Sequence, residues 1–162
     1  MKTYFPCRGE IKRDWWVADA SGQTLGRFAS RVAQQLRGKT KPTYTPFLDV
    51  GDFVIVVNAA RVRLTGRKMD QKVYHRHSGY PGGLKSETAG HRMERDPAGL
   101  VRAAVTGMLP HTRLGRQMAG KLKVYAGSQH PHQAQRPAVL PLPDKAAKTG
   151  PATAAAKDGE QT

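Results

Sequence analysis

A chain of 162 residues fits one domain and can bury a sizeable core. Its 27 Lys and Arg against 12 Asp and Glu give a formal net charge of +15, which points to a polyanionic partner, nucleic acid or an acidic membrane surface. A single cysteine, Cys7, excludes a disulfide framework and a thiolate zinc site, as suits a reducing cytosol.

The first residues, "MKTYFPCRGEIKRDWW", contain no apolar run of the signal-peptide kind. The strongest apolar run, "FVIVV" at 53–57, is far too short to cross a bilayer. A soluble cytosolic protein is expected, with no membrane partner.

In chain order, "WWVADA" (15–20) alternates and is rich in aromatic and branched residues, so it reads as a strand. "DASGQT" supplies turn chemistry, and Thr24 can cap a following helix. In "LGRFASRVAQQLRGK", Leu25, Phe28, Ala29, Val32, Ala33 and Leu36 share one helical face, with Arg27, Arg31, Gln34 and Gln35 mostly elsewhere and Gly38 as the stop. "DFVIVVNA" is apolar throughout 53–57, the pattern of a strand buried on both faces of a parallel sheet. Strand, helix and buried strand make a βαβ unit.

"RVRLTG" at 61–66 fits a strand or a short helix equally, and "KVYHRH" at 72–77 reads as a further strand. Asp96–Pro97 is a cap and first-turn pair, and apolar residues from Leu100 to Leu109 repeat at helical spacing until Pro110. A second short helix at 114–122 is weakened by Gly115 and Gly120. "KVYAG" reads as a last strand, and "SQHPHQAQRPAVLP" as an extended arm. The fold class is α/β, one domain over 1–142 with N- and C-terminal arms. Residues 143–162, rich in Ala, Lys and Pro, have no aromatic and no large aliphatic residue, and three Lys balance three acids. Such a tail is expected to be disordered and dispensable for folding.

The charge is unevenly placed. No acid occurs between Asp19 and Asp49, between Asp70 and Glu87, or from Pro97 to Pro143. Cations in these windows are joined to Gly, Thr, Tyr or His, a mixture suited to sugar–phosphate contacts. The candidate RNA-binding residues are Arg37, Lys39 and Lys41 in "RGKTK", and Arg67 and Lys68 in "RVRLTGRK". Lys72, His75, Arg76, His77, Tyr80 and Lys85 follow in "KVYHRHSGYPGGLK". Arg113 and Arg116 lie in "HTRLGR", Lys121 and Lys123 in "GKLKVY", and His130, His132 and Arg136 in "HPHQAQR".

Two sharper readings of 72–85 fare poorly. On a strand, His75 and His77 would lie roughly 6 to 7 Å apart on one face, close enough to share a metal ion. No carboxylate or thiol lies nearby as a third ligand, and Lys72, Arg76 and Lys85 oppose a cation, so no metal or cofactor is expected. "GYPGGLK" lacks the spacing of a nucleotide-binding phosphate loop. What remains is a glycine-rich loop whose backbone can approach an anion, with Tyr80 to stack and Lys85 to neutralise. The plainer reading, a turn bearing solvated cations, also fits this stretch taken alone.

Catalysis has little support. Asp49 and Asp52 in "DVGD" could pair as in metal-assisted nucleases, but a turn-capping role before the buried strand fits better. A DNA-binding helix pair at 97–109 and 114–122 would need a compact turn, and "MLPHTR" fits that poorly.

The motifs "DASGQTLGR", "YTPFLDVGDFVIVVNA", "LTGRK", "KVYHRHSGYPGGLK", "AVTGMLPHTRLGR" and "KLKVYAGSQHPHQAQRP" together resemble the bacterial large-subunit ribosomal proteins of family thirteen (L-thirteen). The resemblance covers residues 2 to about 142 and is silent on the tail. It implies a three-layer α/β/α domain around a four-stranded parallel sheet. It also implies a structural, non-enzymatic component of the large ribosomal subunit in the cytoplasm. Such a component binds 23S-type rRNA directly, adjoins other large-subunit proteins, acts early in assembly and takes no small-molecule substrate. The chain is expected as a monomer within the ribosome.

Overall fold

In the computed structural model, which describes residues 6–141, β1 (Trp15–Asp19) pairs in parallel with β2 (Phe53–Val57) along their whole length. Between them runs α1 (Leu25–Arg37), whose apolar face from Leu25 to Leu36 is buried. The expected βαβ unit is therefore present. Gly38 ends α1 in the left-handed region, at φ 77°. Thr24 stands at the N-cap, but its side chain makes no capping hydrogen bond. Gln35 departs from the helical pattern: it is buried, for a reason given below.

The sheet has the order β5-β2-β1-β6, all parallel, with β5 at Leu122–Val124 and β6 at Ala138–Val139. Helices flank it, and the architecture is three-layer α/β/α. On one face Ala18, Val54, Val56 and Leu122 pack with α1, α4 (Pro97–Thr106) and Met118 of α5 (Arg113–Gly120) into the main core. Burying each large aliphatic side chain there contributes about 1.5 to 3 kcal/mol. Toward the other face, Trp15 and Phe53, partners in register, stack at 4.4 Å, and His132 tilts against Trp15 at 5.4 Å. His132 lies just before a 3-10 turn at Gln133–Gln135, so the C-terminal segment covers this side.

The fourth strand comes from a place the sequence pattern does not suggest. Residues 59–61 form a 3-10 turn, and Arg63 makes only an isolated bridge to Thr24. The strand at 72–77 joins a separate hairpin. The expected C-terminal arm instead supplies β6, which pairs with Trp16 and Val17. Two residues are too short to show alternation, and Val139 is 80 % exposed, so nothing in the local pattern marks a strand. Leu140 then donates its N–H to Val17 O at 2.8 Å and turns its side chain into the core.

The helices that follow the hairpin also differ at their ends from the sequence pattern. α4 begins as expected, with the Asp96 carboxylate accepting Gly99 N–H at 2.7 Å, but ends at Thr106, before Gly107. α5 starts at Arg113, where the Thr112 hydroxyl accepts the N–H of Gly115. The tail at 143–162 and the boundary at 142 lie outside the described residues.

Because Leu140 fastens β6 to the core, Leu140→Ala should lower stability by about 2 to 4 kcal/mol in urea unfolding. Val139→Ala on the same strand should cost less than about 0.5 kcal/mol, since its side chain is in solvent.

Candidate nucleic-acid interface

The glycine-rich motif of the sequence builds an antiparallel hairpin, β3 (Val73–His77) and β4 (Leu84–Thr88). Its turn closes through Ser78 N–H to Gly83 O and Gly83 N–H to Tyr80 O. Gly79 and Gly82 sit at φ 93° and 71°, which side-chain-bearing residues resist. Tyr80, at the tip, is 76 % exposed.

The hairpin has almost no core of its own. Of its ten strand residues only Tyr74 and Glu87 are half-buried, and these two are cross-strand partners. A lone hairpin is marginal in water. This one is tied down where Ala89 N–H donates to Lys72 O, and where Arg92 and Lys72 lie over the Tyr74 ring at 4.7 and 5.1 Å. The short helix α2 (Lys68–Gln71) leads into it, and α3 (Ala89–Arg95) follows it.

Arg76 and Lys85 face each other across the two strands, both exposed. Neither has an ion-pair partner among the described residues. Like charges directly opposite destabilise a sheet. The free protein therefore carries a repulsion that an external anion would relieve. Between the hairpin and α3 lies a groove of about 760 Å³ lined by Arg76, Lys85, His75, His91, Arg92 and Arg95. Its two acids are already engaged: Glu87 by His91 and Arg95, Asp96 as the cap of α4. The groove's remaining potential is positive.

The histidines are held locally. His75 Nδ1 pairs with Ser86 Oγ at 2.8 Å. His77 Nδ1 accepts the N–H of Gly79 at 2.9 Å, which places the ring proton on Nε2. Among the described residues no three His, Cys, Asp or Glu side chains come together as a metal-binding group. No helix there is long and apolar enough to cross a membrane.

Asp49 and Asp52 turn out to be structural anions rather than turn caps or a catalytic pair. Asp52, 1 % exposed, accepts from Asp14 N–H, Trp16 Nε1, Gln35 Nε2 and Lys41 Nζ. That contact is why Gln35 is buried. Lys121 Nζ donates to Asp49, Gly51 O and Leu36 O. Burial pushes the Lys121 ammonium below the usual lysine range, against the opposing pull of Asp49. Asp52 is filled on both oxygens by Lys41 and three neutral donors, and Asp49 is paired with Lys121.

This divides the expected binding residues into classes. Lys39, Arg67, Lys68, Lys72, His75, Arg76, His77, Tyr80, Lys85, Arg113, Arg116 and Arg136 are exposed. Arg37, Lys123 and His130 are half-buried, and Arg37 lies over Tyr44 at 5.7 Å. His132 hydrogen-bonds Tyr125 and packs on Trp15, so it works within the fold. Lys41 is spent on Asp52 and the Lys12 carbonyl. Lys121 is buried, contrary to the exposed role expected of it, because Asp49 and two backbone carbonyls claim its charge. His91, Arg92 and Arg95 enter the groove without having been marked by acid-free windows, since Glu87 precedes them, Glu94 falls between Arg92 and Arg95, and Asp96 follows.

The sequence model of the family described as Ribosomal protein L13 matches residues 13–131. The chain belongs to that family. It is therefore a structural ribosomal protein and not an enzyme. Relatives named "Large ribosomal subunit protein uL13" are similar over most of their length. That of Synechococcus elongatus is 58 % identical over 141 residues, covering 87 % of this chain and 93 % of its own. That of Syntrophus aciditrophicus is 56 % identical over 142 residues, covering 88 % of this chain and all of its own. That of Roseiflexus castenholzii is 58 % identical over 139 residues, covering 86 % and 95 %. The family match includes the hairpin, the groove and both buried ion pairs, and ends before β6.

Two contrasting outcomes are expected for the free protein. Lys121→Met strands Asp49 inside and should cost about 3 to 5 kcal/mol in urea unfolding, partly recovered by adding Asp49→Asn. Arg76→Ala together with Lys85→Ala should leave the melting temperature at or above that of the parent, because only a cross-strand repulsion is removed.

Proposed function

We propose that this chain is a structural constituent of the bacterial large ribosomal subunit that binds 23S-type rRNA directly. It acts as a single copy beside other large-subunit proteins. The observation that carries the rRNA reading is the Arg76–Lys85 opposition: exposed, free of ion-pair partners, and at the rim of a groove whose acids are already engaged. Phosphates of a folded RNA supply the missing anions, and Tyr80 offers an exposed ring for stacking. Further cations, including Lys39, Arg67, Arg113, Arg116 and Arg136, are spread over distant elements of one small domain. A protein so surrounded by cations can hold several rRNA segments at once, which suits a role in fixing rRNA domains early in assembly.

Sequencing of RNA crosslinked to the tagged protein in cells should return reads confined to large-subunit rRNA. Reads dominated by other RNA would overturn the assignment. In titrations of a 23S-type transcript, affinity should fall about a thousandfold or more between 50 and 200 mM salt if roughly six to ten phosphates are neutralised, by analogy with duplex DNA. Arg76→Ala and Lys85→Ala should each weaken binding about fivefold, the effect of roughly 1 kcal/mol for one exposed charge-assisted contact.

A further inference from the structure

A second concavity shares Tyr74 in its lining with the groove beside the hairpin. It is a cavity of about 650 Å³ between the first turn of α1, the segment 63–72 and the C-terminal end of α4. Its size is that of a small-molecule site. Arg63, Lys68 and Lys72 contribute three cations to the wall, and no carboxylate lines it. Leu64, Ala104 and Met108 supply an apolar wall, with Met108 46 % exposed despite its hydrophobicity. A ligand matched to both walls carries negative charge and an apolar or planar body together.

Gly26 adds an independent reason to look for a ligand here. It lies in the first turn of α1 and lines the cavity. A Cβ built on it meets nothing within 4 Å, and its φ is outside the left-handed region. Glycine weakens a helix, and neither crowding nor backbone geometry of the free protein calls for it at this position. The bare backbone there leaves room for a group from outside the chain to approach the helix closely.

We propose that this cavity receives one unstacked nucleotide of the bound RNA. Its base lies against Leu64, Ala104 and Met108, and its phosphate is neutralised by Arg63, Lys68 and Lys72. This rests on the rRNA-binding reading above and gives it a particular contact. The groove beside the hairpin meets backbone phosphates, whereas the cavity takes a base out of the stack. Single-stranded and bulged nucleotides are the part of RNA that can present a base and phosphate in this way. A free mononucleotide has the same chemistry, so the test separates the two sources.

The full chain and its Gly26→Ala, Gly26→Leu and Met108→Glu variants are compared for melting temperature and for affinity to a 23S-type rRNA transcript. Gly26→Ala should melt at or above the parent temperature. Gly26→Leu should keep the fold, because its side chain enters open space, yet bind the transcript at least tenfold more weakly. Met108→Glu, which puts a carboxylate into the apolar wall that the base lies against, should also lose tenfold. In the second arm, uridine and adenosine 5′-monophosphates are added to the ¹⁵N-labelled full chain. They should shift the Gly26 and Met108 amide resonances only in the millimolar range, and not in Gly26→Leu. Parent-like rRNA affinity in a folded Gly26→Leu overturns the proposal while leaving rRNA binding by the hairpin intact. Low-micromolar binding of a monophosphate with unchanged rRNA affinity assigns the cavity to a free nucleotide and also overturns it. A parent chain that fails to bind the transcript overturns the underlying rRNA reading instead.

Discussion

Two carboxylate–ammonium pairs, each with one buried member, Asp52 and Lys121, hold the ends of the main elements together, and the rest of the domain depends on them. Asp52 collects the backbone at the entry to β1, the Trp16 indole, Gln35 of α1 and Lys41 from the loop that follows. Lys121, at the entry to β5, joins Asp49, Gly51 O and the Leu36 carbonyl near the end of α1. A cation at a helix C-terminus is favourable in its own right. The chain approaches so closely here that a Cβ on Gly51 would meet Leu36 O at 1.7 Å. Ion pairs of this kind add little net stability over a well-packed apolar replacement, because desolvation offsets their attraction. Their value lies in geometry: neither charge can leave without stranding the other.

That commitment of acids to the interior shapes the exterior. Asp49 and Asp52 each take one lysine inward, so the excess of 27 cations over 12 acids stays at the surface while fewer acids remain there to separate them. Asp49 and Asp52 are used in the anchor, Asp96 caps α4, and Glu87 bridges β4 to α3. The hairpin then projects Arg76 and Lys85 with no acid left to separate them. Its stability comes from elsewhere, through Tyr74 under Arg92 and the Ala89–Lys72 hydrogen bond. The core and the cationic hairpin surface are thus separate devices. The core tolerates the surface repulsion because that repulsion sits on an element which packs against it through only two strand residues.

Membership of the ribosomal protein L13 family gives this division a purpose. A structural ribosomal protein needs a domain that keeps its shape within the assembly. Cations on a hairpin anchored through Tyr74 and on helix ends would lose little further freedom on meeting phosphates, which would lower the entropic cost of the proposed RNA contact. Asp52, filled on both oxygens by Lys41 and three neutral donors, is unavailable as a general base or metal ligand.

Periodicity alone determined β1, α1 and β2, because each buries a long, regular face that side-chain spacing records: alternation in one strand, a helical stripe, and a run buried on both sides. The cap at Asp96 was equally local, since its hydrogen bond is made within three residues. Gly115 shows the limit of such rules. Propensity counts it against a helix, yet a Cβ there would meet Pro110 O at 1.8 Å, so the tertiary approach demands glycine. Strand β6 was invisible for a similar reason: two residues held by a parallel partner more than 100 positions away leave no pattern of their own. Composition and acid-free windows made the chain strongly basic and singled out the hairpin as a cation-rich element. Which cations remain free was decided only by tertiary structure. Lys121 and Arg76 are alike in sequence, and only the fold brings a carboxylate from 72 residues away to one of them and a second cation to the other.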